Sequence, residues 1–157
     1  MKDMEIERKF KVKRLPENLE QYPLRRLEQG YLSTGPVVRV RRDNEDYYLT
    51  YKGAGAMAKE EHNLPLTEKA YRHLLAKADG LVIRKSRYCL PCGPYTIELD
   101  IFDPPLSPLV VAEVEFPTEE EALAFRPPDW FGEEVTYDRA YSNASLSKTA
   151  PGERERI

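Results

Sequence analysis

The strongest constraint on the fold is an alternation that recurs along the chain. Charged side chains occupy every second residue, apolar ones lie between them, and each segment keeps largely to one sign of charge. It begins at Glu5-Ile6-Glu7-Arg8-Lys9-Phe10. Residues i and i+2 of a β-strand point to the same face, so Glu5, Glu7 and Lys9 share one side, with Ile6 and Phe10 on the other. The same reading pairs Arg39 with Arg41 opposite Val38 and Val40, and Lys85 with Arg87. It pairs Glu98 with Asp100 opposite Ile97, Leu99 and Ile101, and Glu113 with Glu115 opposite Ala112, Val114 and Phe116. Lys52 follows Thr50 on one face, opposite Leu49 and Tyr51.

Each segment alone is what an antiparallel strand wetted on one side looks like. A generic wet face interleaves signs to gain cross-strand pairs. Here Glu5, Glu7, Glu98, Asp100, Glu113 and Glu115 form an acidic set, while Lys9, Arg39, Arg41, Lys52, Lys85 and Arg87 form a basic one. Two readings follow: a half-barrel with salt-bridged solvent faces, or a sheet that curls with its charged face inward. The second is more economical, because helices then cover an apolar outer face and a closed sheet has no exposed edges. Like charges about 4 Å apart repel by roughly 4 kcal/mol at an effective dielectric near 20. An inward acidic wall therefore calls for a cation, and a hard divalent metal suits carboxylate oxygens. A basic wall of arginines and lysines suits phosphate.

Strand patterns cover about Glu5–Lys13, Leu27–Ser33, Val37–Arg42, Tyr47–Tyr51, Val82–Leu90, Tyr95–Phe102 and Leu109–Phe116. Turn residues separate them at Gly35-Pro36, Asp43–Asp46, Gly93-Pro94 and Asp103-Pro104-Pro105, and such close spacing implies hairpins rather than βαβ units. Thr67 caps a helix with Tyr71, Leu74, Leu75 and Ala78 on one face and Gly80 as its stop. Thr118 and Glu121 make a capping box for a second helix, which Pro127-Pro128 ends. A short helical turn is expected within Leu15–Tyr22. The pattern describes one domain over residues 1–150, followed by a disordered tail at 151–157 whose sequence is almost free of apolar residues.

Composition narrows the function classes. The 157 residues carry 24 Lys and Arg against 27 Asp and Glu, a formal net charge of −3. That balance opposes non-specific binding to nucleic acid or an anionic membrane. No apolar run approaches the roughly 20 residues of a membrane span, and Met1-Lys2-Asp3-Met4 opens no signal-peptide core, so a cytoplasmic location is expected. Cys89 and Cys92 form a lone C-x-x-C; His62 and His73 do not complete a zinc-like spacing with it, and Pro91-Cys92-Gly93-Pro94 reads as a turn between strands rather than a redox motif opening a helix. His62 and His73 themselves read as surface residues, Trp130 as a packing anchor, and Asn143-Ala-Ser145 as a sequon without use in the cytosol. Tyr137, Arg139 and Lys148 are placed near the mouth of a curled sheet.

Glu5-x-Glu7-x-Lys9 resembles the E-x-E-x-K motif of the CYTH domain, the triphosphate tunnel metalloenzymes. Arg39-x-Arg41, Leu49-Thr50-x-Lys52, Lys85-x-Arg87-Tyr88, Glu98-x-Asp100-x-Phe102, Glu113-x-Glu115 and the closing Trp130–Thr136 and Tyr141-Ser-Asn143 stretches follow in the family's order. The resemblance implies an α+β fold: a closed antiparallel eight-stranded β-tunnel, or barrel, with a charged interior and a few helices packed outside. It implies Mg²⁺ or Mn²⁺ as cofactor and a small-molecule triphosphate as partner, with no nucleic acid or membrane and with a monomer or homodimer as the assembly. Carried over residue by residue, Glu5, Glu7, Glu113 and Glu115 are metal ligands, joined by Asp100 and, at the edge of the set, Glu98 and Glu61. Lys9, Arg39, Arg41, Lys52, Lys85 and Arg87 hold the phosphate chain, and Glu5, Glu7 and Lys9 are the catalytic group. The chain departs from the family at Lys59, Glu61 and Asn63, where many relatives have R-x-E-x-E, and at Thr96, near which a tryptophan is common. The implied activity is hydrolysis of inorganic tripolyphosphate to pyrophosphate and phosphate. The alternatives are class IV-type adenylate cyclisation, hydrolysis of nucleoside or thiamine triphosphate in the same tunnel, and a non-catalytic polyphosphate- or nucleotide-binding module.

Overall fold

A computed structural model describes residues 4–148; the expected tail at 151–157 lies outside them. Nine strands form one antiparallel sheet: β1 (Met4–Val12), β2 (Leu24–Thr34), β3 (Val37–Asp43), β4 (Asp46–Lys52), β5 (Ala58–Pro65), β6 (Asp79–Cys92), β7 (Tyr95–Phe102), β8 (Val110–Glu115) and β9 (Phe131–Glu134). Their order is β5-β4-β3-β2-β6-β7-β8-β1-β9, and an additional pairing of β5 with β1 closes eight of them into a barrel, leaving β9 outside. The closure is short: Met4, Glu5 and Ile6 oppose Glu60, Lys59 and Ala58. Beyond Ile6 the two strands part, and β9 takes over that edge of β1 through Phe10 and Val12.

One hydrophobic cluster lies outside the barrel. Ile6 and Phe10 of β1 join Ile97, Leu99, Ala112, Val114 and Phe116 in a buried cluster. Ala122 of the helix α2 (Glu119–Ala124) and Phe131 of β9 cover it. Arg8, also outward, ties the layer together: its guanidinium donates to Glu134 and to the Ala122 and Phe125 carbonyls. Helix α1 (Glu68–Leu75) packs on β2, β3 and β4 with Tyr71 fully buried. A second cluster joins Tyr31, Ile83, Phe102 and Val111 to Tyr141 and to Leu146 of α3 (Asn143–Leu146), which sits at one end of the barrel.

Both helix caps behave as the sequence indicates, Thr67 accepting from the Ala70 amide and Thr118 from the Glu121 amide. Helix α1 ends at Leu75, however, and Gly80 opens β6 at φ 70° rather than stopping the helix. The stretch Pro91-Cys92 continues β6, so the hairpin turn is Gly93-Pro94 alone, with Cys92 opposite Tyr95. Within Leu15–Tyr22 only Leu19–Gln21 is helical, as a 3-10 turn. Strand β5 carries no apolar alternation, so the charge-and-apolar pattern passed over it, and β9 has only four residues. Among the described residues no helix is long and apolar enough to cross a membrane.

Candidate active site

The charged faces point inward. A cavity of about 90 Å³ runs through the barrel, lined among others by Glu5, Glu7, Lys9, Arg39, Arg41, Lys52, Glu61, Arg87, Glu98 and Glu113. One wall is basic. Arg39 donates from Nη2 to Thr50 Oγ1 at 3.1 Å, and that hydroxyl donates to Asn63 Oδ1 at 2.6 Å. Arg39 Nε is buried with no hydrogen-bond partner. Arg41 donates from Nε to Gln29 Oε1 at 2.7 Å. Burial, followed by repulsion from Arg39 and Arg87, pushes the Arg41 guanidinium down to about 9. A guanidinium depressed that far is a sign of positive charge packed beyond what its neighbours neutralise. An anion arriving between these groups relieves that excess.

Lys85, Asp100 and Arg87 form a buried triad next to this wall. Arg87 grips both oxygens of Asp100, Nε–Oδ1 at 2.7 Å and Nη2–Oδ2 at 2.8 Å. Lys85 Nζ stands 2.7 Å from Oδ2 and also donates to Asn143 Oδ1. Burial is the main cause that drives the Lys85 ammonium down to about 7, against the attraction of Asp100. Asp100 is thus placed with the cations and has both oxygens engaged.

The opposite wall is acidic and divides in two. Glu7 and Glu113 lie deep and share a hydrogen bond. Burial, then Glu113 and Glu5, raises Glu7 well above the carboxylate range. Against the cost of burial, Lys9, 3.7 Å away, and the Glu7 hydrogen bond hold Glu113 well below it. The pair therefore keeps one proton. Nearer the end where β1 begins, oxygens of Glu5, Glu61 and Glu115 lie within 4.8 Å of one another. Lys52 Nζ, 2.9 Å from Glu5 and 3.6 Å from Glu61, holds Glu5 ionised despite burial. Burial and the Glu5 charge raise Glu61. Glu98 spans the walls, 3.4 Å from Arg87 and from Arg25.

The structure thus brings Glu5, Glu7, Lys9, Arg39, Arg41, Lys52, Glu61, Arg87, Glu98 and Glu113 to one lumen. Glu115 sits at its rim and is exposed, and Lys85 and Asp100 sit behind the wall. Sequence reading missed Gln29 and gave Thr50 no role beyond the Lys52 face, both fully buried, because the search followed charge and these hydrogen-bonding partners are neutral. It also left out Lys59, which lines the lumen 3.6 Å from Glu7. Ser142, Asn143 and Ala144 reach the lumen from a segment far along the chain. His62 and His73 stay outside; His62 pairs with Glu60 at 2.7 Å. Trp130 packs edge-on against Phe131, and Cys89 and Cys92 are free thiols.

The carboxylate set fits a hard divalent cation. Three oxygens converge and the donors are all carboxylate, with one ammonium, Lys52 at 2.9 Å from Glu5 Oε1, set against the three of them. Such groups repel one another until a cation intervenes.

Eight antiparallel strands closed around a lumen with a basic and an acidic wall define a class of small β-tunnels whose working surface is internal. Comparison with known proteins gives the particular family. The CYTH domain profile matches residues 3–150. An inorganic triphosphatase of Nitrosomonas europaea is 40% identical over 153 residues, covering 94% of this chain and 99% of that protein. An inorganic triphosphatase of Acetivibrio thermocellus is 38% identical over 125 residues, 76% of this chain and 78% of its own. The crystal structure of the inorganic triphosphatase NE1496 superposes with a TM-score of 0.71 at 37% identity, covering 94% of this chain and 97% of that one. This chain belongs to the CYTH domain family.

Proposed function

We propose that this protein hydrolyses inorganic tripolyphosphate to pyrophosphate and phosphate with a divalent cation, Mg²⁺ or Mn²⁺. The observation that carries the reading is a single buried lumen in which under-neutralised guanidinium groups face a converging carboxylate set. The two inorganic triphosphatase relatives support the same substrate. Glu5, Glu61 and Glu115 would hold the cation, with Glu7 and Glu113 deeper in the same wall. When bound, the cation neutralises phosphate oxygens and acidifies a water.

The protein's own side chains do the rest. Arg39, Arg41, Lys52 and Arg87 grip the phosphate chain and neutralise charge that grows on the bridging oxygen as the terminal P–O bond breaks. Thr50 and Gln29 fix the two arginines in place. Asp100 positions Arg87 and Lys85. A water oxygen forms the new bond to the terminal phosphorus, its proton passes to an ionised carboxylate, Glu5 or Glu113, and pyrophosphate leaves. Lys9 neutralises Glu113 and reaches the Tyr141 carbonyl at 3.1 Å. Among the described residues lining the lumen, Tyr31 is the one aromatic side chain, which offers adenine or thiamine little to stack on. A monomer or homodimer is the proposed assembly. The cytoplasm is the proposed location.

The test is phosphate release from tripolyphosphate, ATP and thiamine triphosphate in parallel, each with Mg²⁺, Mn²⁺ or chelator. Metal-dependent release favouring tripolyphosphate is expected. Glu5→Gln and Glu113→Gln should remove most of it, and Arg39→Ala should mainly raise KM. Absence of release from every substrate, or full activity in either carboxylate variant, sinks the assignment.

A further inference from the structure

The lumen opens at two ends, and the ends carry opposite charge. At the end where β2 and β4 finish and β3 and β5 begin, it widens into a cavity of about 530 Å³. The ionisable side chains there are Lys52, Lys59, Arg139 and Lys148, apart from Tyr51, and no carboxylate lines it among the described residues. This cavity shares Val37, Lys52, Lys59, Ser142 and Ala144 with the lumen, so the two adjoin. A second opening of about 260 Å³ lies where β5 parts from β1, with Lys59 and Arg139 beside Glu7 and Lys9. At the other end, where β1 and β7 begin and β8 finishes, a cavity of about 500 Å³ is lined by Glu61, Glu98, Glu115 and Glu121, with no lysine or arginine among the described residues. It shares Glu61 and Glu98 with the lumen.

Resting on the triphosphatase reading, we propose that the basic mouth of Lys59, Arg139 and Lys148 is where the phosphate anion enters and leaves the tunnel. The physical reason is focusing. Clefts lined by one sign of charge with low-dielectric walls raise the local concentration of the opposite ion and its rate of arrival by about 10–10³-fold, and salt abolishes the effect. An anion approaching the acidic mouth meets Glu115 and Glu121 together with Glu61 and Glu98, whose charges are already partly offset by Lys52 and by Arg25 and Arg87. From the basic mouth it passes Lys59 and Lys52 and arrives at Arg39, whose buried Nε has no partner. Arg139 and Lys148 are not among the residues that line the lumen itself, and Arg139 shares only the side opening with Glu7. They act on arrival and not on the bond-breaking step.

The experiment is steady-state hydrolysis of tripolyphosphate by R139E/K148E at saturating Mg²⁺ over a range of ionic strength. At about 20 mM salt, kcat/KM should fall roughly 10-fold or more with kcat unchanged, and the gap should close by about 0.5 M as screening sets in. Mn²⁺ affinity of the substrate-free protein, read by electron paramagnetic resonance, should not fall. R14E/R72E makes the same change in net charge away from both mouths and should shift kcat/KM by less than about 2-fold, as should E121Q at the acidic mouth. R139A/K148A, which reverses no charge, should show the same loss at reduced size and a shallower salt dependence. The proposal is overturned if R139E/K148E stays within twofold of the unsubstituted protein at low salt. It is equally overturned if R14E/R72E loses as much, or if E121Q raises kcat/KM as far as R139E/K148E lowers it. An unsubstituted protein that hydrolyses nothing would instead refute the triphosphatase reading.

Discussion

Replacing Asp100 by asparagine tests how the basic wall is held together. In the native protein one carboxylate serves two buried cations, Arg87 through paired contacts of 2.7 and 2.8 Å and Lys85 at 2.7 Å. Asp100→Asn keeps the shape, removes the charge and turns one N–H toward a donor. Lys85 escapes part of the penalty by shedding its proton, since its ammonium already sits at about 7. Arg87 has no such escape, because guanidinium stays charged, and only Glu98 at 3.4 Å offers partial compensation. Breaking a buried pair from one side costs about 3–5 kcal/mol. At pH 8, where Lys85 is largely neutral with or without Asp100, the loss should lie near the lower bound, about 3 kcal/mol. Below pH 7 the native Lys85 keeps a proton that the variant gives up, which adds about 1 kcal/mol by pH 6. Denaturant unfolding at the two pH values measures both quantities. The thermal midpoint at pH 8 should drop by about 6–12 °C for a chain of this size. A loss under about 1 kcal/mol that does not change with pH would refute the reasoning. If Mn²⁺ affinity collapsed while stability held, Asp100 would belong with the metal ligands after all.

Two further substitutions probe other parts of the molecule. The raised Glu7 carboxyl is a stability term that is full below the ordinary carboxylate range and is lost as pH rises through its folded value. The metal-free Glu7→Gln variant should therefore gain in thermal midpoint relative to the native protein as pH rises above that range, and a native-minus-variant difference that does not change with pH contradicts the shared proton. Gly30→Ala would set a Cβ 2.8 Å from both Ala78 Cβ and Leu75 Cδ1 at the α1–β2 contact. Overpacking of that kind costs about 1–3 kcal/mol, visible as a lower midpoint in denaturant, and an unchanged midpoint would show that α1 can withdraw freely.

Much of this protein was legible in its sequence because strand geometry is local. The two-residue period sorts Glu5, Glu7 and Lys9 from Ile6 and Phe10 without knowledge of any partner, and uniform sign along each strand already implied a curled sheet. Both helix caps could be read because Thr67 and Thr118 act on amides three residues away. Strand β5 was not legible. Its inward residues Glu61 and Asn63 alternate with an outer edge that carries no apolar marker, so nothing local distinguishes it from a polar loop.

What the tertiary structure alone decided is which charges meet. Sequence put Asp100 beside Glu98 in the acidic set; the register of β6 on β7 sets Asp100 opposite Arg87 and so enrols it in the basic wall. Sequence gave Glu113 and Glu115 the same role; strand length buries one and leaves the other at the rim. Lys85 meets Asn143, and Lys9 the Tyr141 carbonyl, only because α3 and the 3-10 turn before it return to one end of the barrel. The alternation of side chains is fixed by the pleat of each strand, whereas partners, burial and proton affinity depend on distances across strands, which closure of the sheet sets.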